Sequence, residues 1–522
     1  MNQDKRLLSY AVYSNILTRS FFLLLMIGVV MYPISAQTNR ELLLLFETDV
    51  LTGCGENAPF WHTSNRQGLP SIDNSNGFIH CSILGSQVFG SGFSIGHGID
   101  IVAGAGLEKS VFVHQLFLDL DYKRLELSIG MKERWGDKNK YLSTGSLTWS
   151  GNCQPIPEIR VGIPDYEYIP IGGNWLSFKG HIGYGRLTDD TWRKVQSHGK
   201  YADGILFHSK SLFLRFGNER RFPMKMTLGL EMNNLFGGTI HRVDYDRKMQ
   251  SDALAYWTVL FPFHKIEKQG HDDGDNLGSW HLDFSYNIDN WHIKTYYEHF
   301  YEDHSSMLGI EYKNNIEGEK RFIFYGFRRN WFDGLFGIEI NAPEGSRYFR
   351  NAVFEYLNTR GQSGPVCHSI ANNIDGMYVV EEIDGCDAMY NHSAYDSYTH
   401  HGYAIGNPVL ISPVYNKNGS EHFRSNRVKM FHIGVNGGIT PCIEYRVLTT
   451  TTQHWGQYSV PLNEVERVTS LMLECSYKFD GEYGWRVSLS GAMDFDSGSD
   501  GSYLLGNNRG LMVTVNRTWK VR

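Results

Sequence analysis

The sequence predicts an all-β fold: a transmembrane antiparallel up-and-down β-barrel of about 16–18 strands, with long loops or plug elements folded into its lumen. Three observations predict it. Apolar and polar residues alternate with period two from end to end. Many alternating runs are about 9–11 residues long, the length of a tilted strand crossing a bilayer. Their connections are of two kinds, short polar turns and long loops. Composition agrees, since 55 of 522 residues are Gly and 14% are aromatic, which suits strands and tight turns. The net charge of −7 excludes the electrostatic footprint of a nucleic-acid binder.

The N-terminus carries Lys5, Arg6 and Arg19, then the apolar run FFLLLMIGVVMY (Phe21 to Tyr32), then PISAQ with small residues ending at Ala36. This is the pattern of a cleaved signal peptide over residues 1–36, leaving 37–522 as one barrel domain. An uncleaved anchor is the rival reading, but a run of about 12 apolar residues is shorter than the roughly 20 a spanning helix needs. LTGC (Leu51–Cys54) looks like a lipoprotein box but lies far beyond the apolar run, after Glu47 and Asp49.

The strand pattern is plain in MKMTLGLEM (Met224–Met232), where Met224, Met226, Leu228, Leu230 and Met232 take one face and Lys225, Thr227 and Glu231 the other. WHLDFSYNID (Trp280–Asp289), LELSIGMKE (Leu125–Glu133) and WRVSLSGAMDFD (Trp485–Asp496) behave alike. Turns are read at NIDNW and DYKRL. Long loops are expected at about 134–175, 245–276 and 360–426, the second with a short helix in DRKMQSDALAYWTVLF. A secreted sandwich or propeller also has one wet and one dry face. Unbroken alternation, charges on the polar face (Glu126, Lys225, Asp283, Arg486) and the lack of a blade-length repeat favour the barrel.

The seven cysteines contain no CxxC pair, which argues against a zinc site. Cys367 and Cys386 flank one loop and are the best disulfide pair; isolated thiols are the alternative.

Four non-alternating segments resemble the capsule-assembly Wzi family of outer-membrane barrels, in its Bacteroides-type form. APFWHTSNRQGL (Ala58–Leu69), with Trp61, Asn65 and Arg66, is similar to that family's Pro-Phe-Trp…Asn-Arg-x-Gly segment. The stretch from SLTWSGNCQPIPEIRVGIPDY (Ser146–Tyr166) on to Gly185 is the second match. EYLNTRGQSGP (Glu355–Pro365), with Gln362 and Ser363, resembles the family's Glu-x-x-x-Thr-x-x-Gln-Ser-Gly pattern. YDSYTHHGYAIGNPV (Tyr395–Val409), with His401, Gly406, Asn407 and Pro408, resembles its Gly-x-x-Ile-Gly-Asn-Pro turn. The resemblance implies an exported, non-enzymatic outer-membrane barrel of about 18 strands, its type member a lectin that holds capsular polysaccharide at the cell surface. It carries over no catalytic residue. Two departures stand out: Trp519 lies where many barrels end on a terminal aromatic, and the type member's N-terminal helical plug is not evident before a first strand near Glu41.

Sugar recognition needs flat aromatic faces and planar hydrogen-bonding groups. Trp149, Tyr166, Tyr168 and Trp175 offer faces, and Asn152, Gln154, Arg160, Asp165 and Asn174 offer polar groups. The glycan-contact candidates are therefore Trp149, Asn152, Arg160, Asp165, Tyr166 and Trp175. The plainer reading is that these residues lock a loop inside the barrel, with Arg160 and Asp165 as a structural pair and Pro155, Pro157 and Pro164 fixing unpaired backbone. GHDDGD (Gly270–Asp275) and YTHHGY (Tyr398–Tyr403) read as solvated loops, having neither EF-hand nor HExxH spacing. No GxSxG elbow or SxxK motif is present, so the sequence nominates no catalytic residue, metal ligand or cofactor.

The leading expectation is a barrel lectin. Its partners are capsular or another surface polysaccharide, outer-membrane lipid and the capsule-export machinery, with no nucleic acid. A porin-like transport channel is the alternative, resting on the charged lumen face. A membrane-embedded lipid or glycan hydrolase is the third reading, and it lacks any assembled constellation.

Overall fold

The computed structural model contains one sheet of 18 strands that closes on itself. It describes residues 39–521 apart from 91, 171–172, 219–220, 262–273, 303–308, 315–319, 326–331, 363–366, 375–376, 384–387, 480, 482–483 and 500–501, and gives backbone alone for the strands within 309–325 and 367–383. In chain order the barrel strands are β1 (Asn39–Cys54), β2 (Ser75–Phe89), β3 (Phe93–Ala105), β4 (Val111–Tyr122), β5 (Leu125–Met131) and β6 (Glu158–Tyr168). Next come β7 (Leu176–Arg186), β8 (Leu206–Phe216), β9 (Met224–Phe236), β10 (Asp275–Ile288), β11 (Trp291–Tyr301) and β12 (Gly334–Asn341). The last are β13 (Asn351–Asn358), β14 (Val428–Gly438), β15 (Ile443–Gly456), β16 (Pro461–Lys478), β17 (Arg486–Asp496) and β18 (Asn508–Val521). Each strand pairs antiparallel with the next, and β1 closes the ring on β18 from Leu42↔Val521 to Cys54↔Arg509. The predicted fold class is the observed one.

The two rims differ. Connections that leave even-numbered strands are short, such as 90–92, 123–124, 289–290 and 439–442. Those that leave odd-numbered strands include 55–74, 132–157, 187–205, 237–274, 302–333 and 359–427. Asp289 and Asn290 form a two-residue turn with φ of 47° and 64°, the positive pair that a type I′ hairpin needs. Both chain ends of the barrel lie at the short-turn rim, as an even strand number requires.

Alternation sends Val50, Ile79, Ile101, Leu228, Phe284, Ile338, Leu473 and Val513 outward, where they are exposed. Tyr122, Tyr168, Trp175, Tyr286, Trp291, Tyr477 and Trp485 sit exposed at strand ends beside the short turns and form an aromatic girdle. An apolar band flanked by such a girdle on a closed barrel is the membrane-facing surface of an outer-membrane protein, with short turns on the periplasmic side. The chain is an outer-membrane barrel. No helix among the described residues is long and apolar enough to cross a membrane.

The core lies inside the ring. Phe60, Trp61, Leu147, Ile156, Ile205, Tyr398, Ile405 and Leu410 belong to one buried cluster, and all come from the connections 55–74, 132–157, 187–205 and 359–427. These four segments fold inward and pack on the wall.

The loop expected at about 134–175 is instead two connections, 132–157 and 169–175, with barrel strand β6 between them. Pro155 and Pro157 precede the strand, and Pro164 falls where the β6–β7 register shifts between Ile163 and Glu167. A proline at a ladder irregularity removes no hydrogen bond the sheet needs. The loop at 237–274 holds the expected helix, Ala253–Leu260, whose Asp252 cap accepts the Ala255 N–H at 3.0 Å. The signal peptide and the Cys367–Cys386 pairing lie outside the described residues.

Candidate functional site

Two wall carboxylates hold the 132–157 segment across the lumen. Glu355 of β13 accepts the Ser143 hydroxyl (2.6 Å), the Thr144 N–H (2.8 Å), the Thr144 hydroxyl (2.7 Å) and the Tyr296 hydroxyl (2.5 Å). Glu298 of β11 accepts the Ser146 hydroxyl (2.5 Å) and the Leu147 N–H (2.8 Å), and pairs with Lys138. A buried carboxylate is tolerated only when so many donors surround it.

The 359–427 segment then docks on 132–157. Asn407 donates to the Gly145 carbonyl (2.7 Å) and the Thr144 hydroxyl (3.0 Å), while the Ser150 hydroxyl donates to the Gly406 carbonyl (2.5 Å). Tyr398 donates to the Thr148 carbonyl at 2.9 Å, and Tyr390 donates to Leu147. The backbone at Gly406 passes so near that a Cβ there would lie 2.0 Å from the Leu147 oxygen and 2.1 Å from the Tyr390 hydroxyl. Pro408 is buried beside it.

Trp61 is buried and donates to the Thr450 hydroxyl at 3.2 Å. The Asn65 N–H meets the Asn152 side-chain oxygen at 3.2 Å, and Arg66 pairs with Asp49 at 3.5 Å. Asn152 also donates to the Ala404 carbonyl at 3.1 Å and is buried. Gln362 is buried and bonds the Thr359 carbonyl (2.7 Å), the Asn426 carbonyl (3.0 Å) and the Met389 N–H (3.0 Å). Asn65, Gln362 and His401 have φ of 53°, 47° and 52°, left-handed conformations that such bonding sustains. Ser363 lies outside the described residues.

YTHHGY is buried rather than solvated, because the whole segment is enclosed by the plug. His400 donates through Nδ1 to the Gln154 carbonyl (3.0 Å) and accepts the Thr188 N–H (3.1 Å). Burial, with His401 beside it, lowers its pKa to about 4, so it is neutral. Behind it Arg193 is fully buried and joins the Asp189 carboxylate (3.1 Å), the Tyr395 carbonyl (3.1 Å), the Thr399 carbonyl (2.8 Å) and Glu421 (3.4 Å). Burial opposes ionisation of Asp189, but Arg193 and the two histidines hold its pKa below the usual range. Burial pushes Glu421 up to about 8 despite Arg193. Sequence reasoning missed Arg193, Asp189, Glu298 and Glu355 as anchors. Glu355 alone carried a signal, as the first residue of the third matched segment.

Cavities remain on both sides of this plug. One of about 450 Å³ opens at the long-loop rim among Pro70, Glu108, Lys109, Gln154, Trp192, His401 and Tyr403. Gly402, at φ 74°, lies against the Trp192 ring, where a Cβ would approach within 2.2 Å. His401 meets Glu108 at 2.8 Å, and the Tyr403 hydroxyl donates to the Pro70 carbonyl at 3.0 Å. This cavity combines a half-buried indole, a phenol ring, an amide and charged groups of both signs. Two others, of about 330 and 550 Å³, lie toward the short-turn rim.

Of the six glycan-contact candidates, Trp149 and Arg160 line the 330 Å³ cavity, with the guanidinium 5.9 Å from the indole centre. Arg160 pairs with Glu158 at 2.8 Å and not with Asp165, which is exposed near the end of β6. The two residues were expected to pair across a loop; on a strand the partner is instead two positions along the same face. Tyr166 lies under Arg215, 3.3 Å from ring centre to guanidinium carbon. Trp175 is exposed at the rim with the aromatic girdle.

No family model matches the sequence, and no curated protein matches it. Among solved structures the chain is similar to the Escherichia coli outer-membrane protein Wzi, described as involved in group 1 capsule assembly and as a carbohydrate-binding β-barrel. The identity is 12%, the alignment covers 90% of this chain and 83% of Wzi, and the TM-score is 0.53. It is also similar to Pseudomonas aeruginosa OccK5 (9% identity, 93% and 99% covered, TM-score 0.45) and Acinetobacter baumannii OccAB2 (9%, 93% and 98%, 0.45). At these identities the Wzi likeness establishes a shared outer-membrane barrel fold and nothing finer.

Proposed function

We propose that this chain is a non-enzymatic outer-membrane lectin that attaches or organises capsular polysaccharide, or another surface glycan, at the cell surface. The observation that carries the reading is the packed plug of inward loops beneath an outer cavity floored by Trp192 and Tyr403. A porin keeps a water-filled channel, whereas here the long-loop half of the lumen is packed with apolar side chains and hydrogen-bonded backbone. An indole face supplies stacking for a sugar ring, and Gln154, Lys109 and the His401–Glu108 pair supply hydroxyl and acidic-group partners. The described carbohydrate binding of Wzi, on the same fold, supports the reading.

The test is calorimetric titration of the refolded mature chain with surface polysaccharide purified from the producing strain, beside planar-bilayer conductance of the same preparation. Saturable binding by a protein that conducts poorly is expected. Steady single-channel conductance with no glycan binding overturns the reading in favour of a porin.

A further inference from the structure

We propose that the barrel wall holds one divalent first-row transition-metal ion between Asp100, His114 and Glu133. The three residues come from β3, β4 and the start of the 132–157 segment, and one ligand atom from each lies within 4.8 Å of the others. Asp100 and His114 are buried, and Glu133 is partly so.

The register of β3 and β4 shows how His114 reaches this place. Asp100 pairs with Gln115 and Ile101 with Val113, so His114 is an extra residue in the ladder. Regular alternation would turn either His114 or Gln115 toward lipid. The bulge turns both inward, and both are buried. Gln115 then links the two carboxylate residues: its amide donates to Asp100 at 3.1 Å and its carbonyl accepts the Glu133 N–H at 2.9 Å. His80 of β2 holds the same Asp100 oxygen at 2.5 Å, an outer partner of the kind that orients ligating carboxylates.

The cluster also has unsatisfied capacity. The second oxygen of Asp100, itself fully buried, has no hydrogen-bond partner, while His80 and His114 face the cluster through Nε2. A buried orphan atom of this kind calls for an ion or a water. One imidazole with two carboxylates is a mixed nitrogen and oxygen set, suited to zinc, manganese or cobalt. Calcium and magnesium favour oxygen ligands throughout. His114 borders the outer cavity and Glu133 the two inner ones. A metal here would pin the plug segment to the wall at its entry point, where Glu133 already meets His114 at 3.1 Å.

The experiment titrates Zn²⁺ and Co²⁺ into the chelator-stripped, tag-free mature chain in detergent, and into the His114→Ala/Glu133→Gln double variant. Folding of each is read from its heat-modifiable migration. One Zn²⁺ per chain, a visible Co²⁺ absorption from mixed nitrogen and oxygen ligands, and affinity at least tenfold weaker in the folded double variant are expected. Equal affinity in the variant overturns the site, as does a wild-type chain that binds neither ion. If the variant does not fold, the wild-type Co²⁺ spectrum decides: no visible absorption at saturating Co²⁺ removes the proposal.

Discussion

Glu298 on the barrel wall and Ser146 in the lumen-crossing segment are 2.5 Å apart, carboxylate to hydroxyl, and the same carboxylate holds Leu147 and Lys138. Removing one member of a buried charged pair costs about 3–5 kcal/mol. Glu298→Ala should therefore release the 132–157 segment. The check is limited proteolysis: cuts should appear within that segment while unboiled migration still reports a closed barrel. Uncut plug at wild-type protease levels refutes the anchor.

Gly406→Ala tests the contact between the two inward segments. Its Cβ would meet the Leu147 oxygen at 2.0 Å and the Tyr390 hydroxyl at 2.1 Å, one of them backbone. Overpacking of this kind costs roughly 1–3 kcal/mol. The thermal midpoint should drop, and bilayer conductance should rise as 389–426 loosens.

Plug stability should fall toward both pH extremes. His400 has its pKa lowered to about 4 from 6.5, so the unfolded chain binds the extra proton as pH drops through that window. Glu421 has its pKa raised to about 8 from 4.5, so the folded chain holds the extra proton and stability declines as pH climbs from 4.5 to 8. Glu421→Gln should flatten the alkaline side of a melting-temperature profile. A variant that tracks wild type from pH 5 to pH 8 would show that Glu421 ionises freely.

Trp192→Ala should weaken glycan binding by roughly tenfold, the loss of about 1.4 kcal/mol from one stacking face. Trp175→Ala, which changes the membrane girdle, should leave affinity untouched. Titration calorimetry on both variants makes the comparison, and the reverse ranking would move the binding place away from the outer cavity.

The strands were legible because membrane and lumen impose opposite demands on alternate residues. WHLDFSYNID already sorts Phe284 and Tyr286 from Asp283, and the structure turns them outward and inward as read. The segment Ser146–Tyr166 was legible only in part. Its proline density marked a break, but Pro164 sits within β6 at a register shift that no local signal announces. YTHHGY looked solvated because its polar groups are visible in sequence, whereas the Thr188, Gln154 and Asp189 groups that satisfy them lie far away in the chain.

The sequence by itself determined the alternating antiparallel strands, their apolar face and the division into short turns and long loops, since these follow from near-neighbour periodicity. The tertiary structure decided where the long loops go and what they join. Glu298 meets Ser146 from 152 residues away, Glu355 meets Ser143 from 212, and Asp100, His114 and Glu133 converge through a single inserted residue in β4. Such contacts depend on ring closure and on a bulge, and neither leaves a periodic trace in the chain.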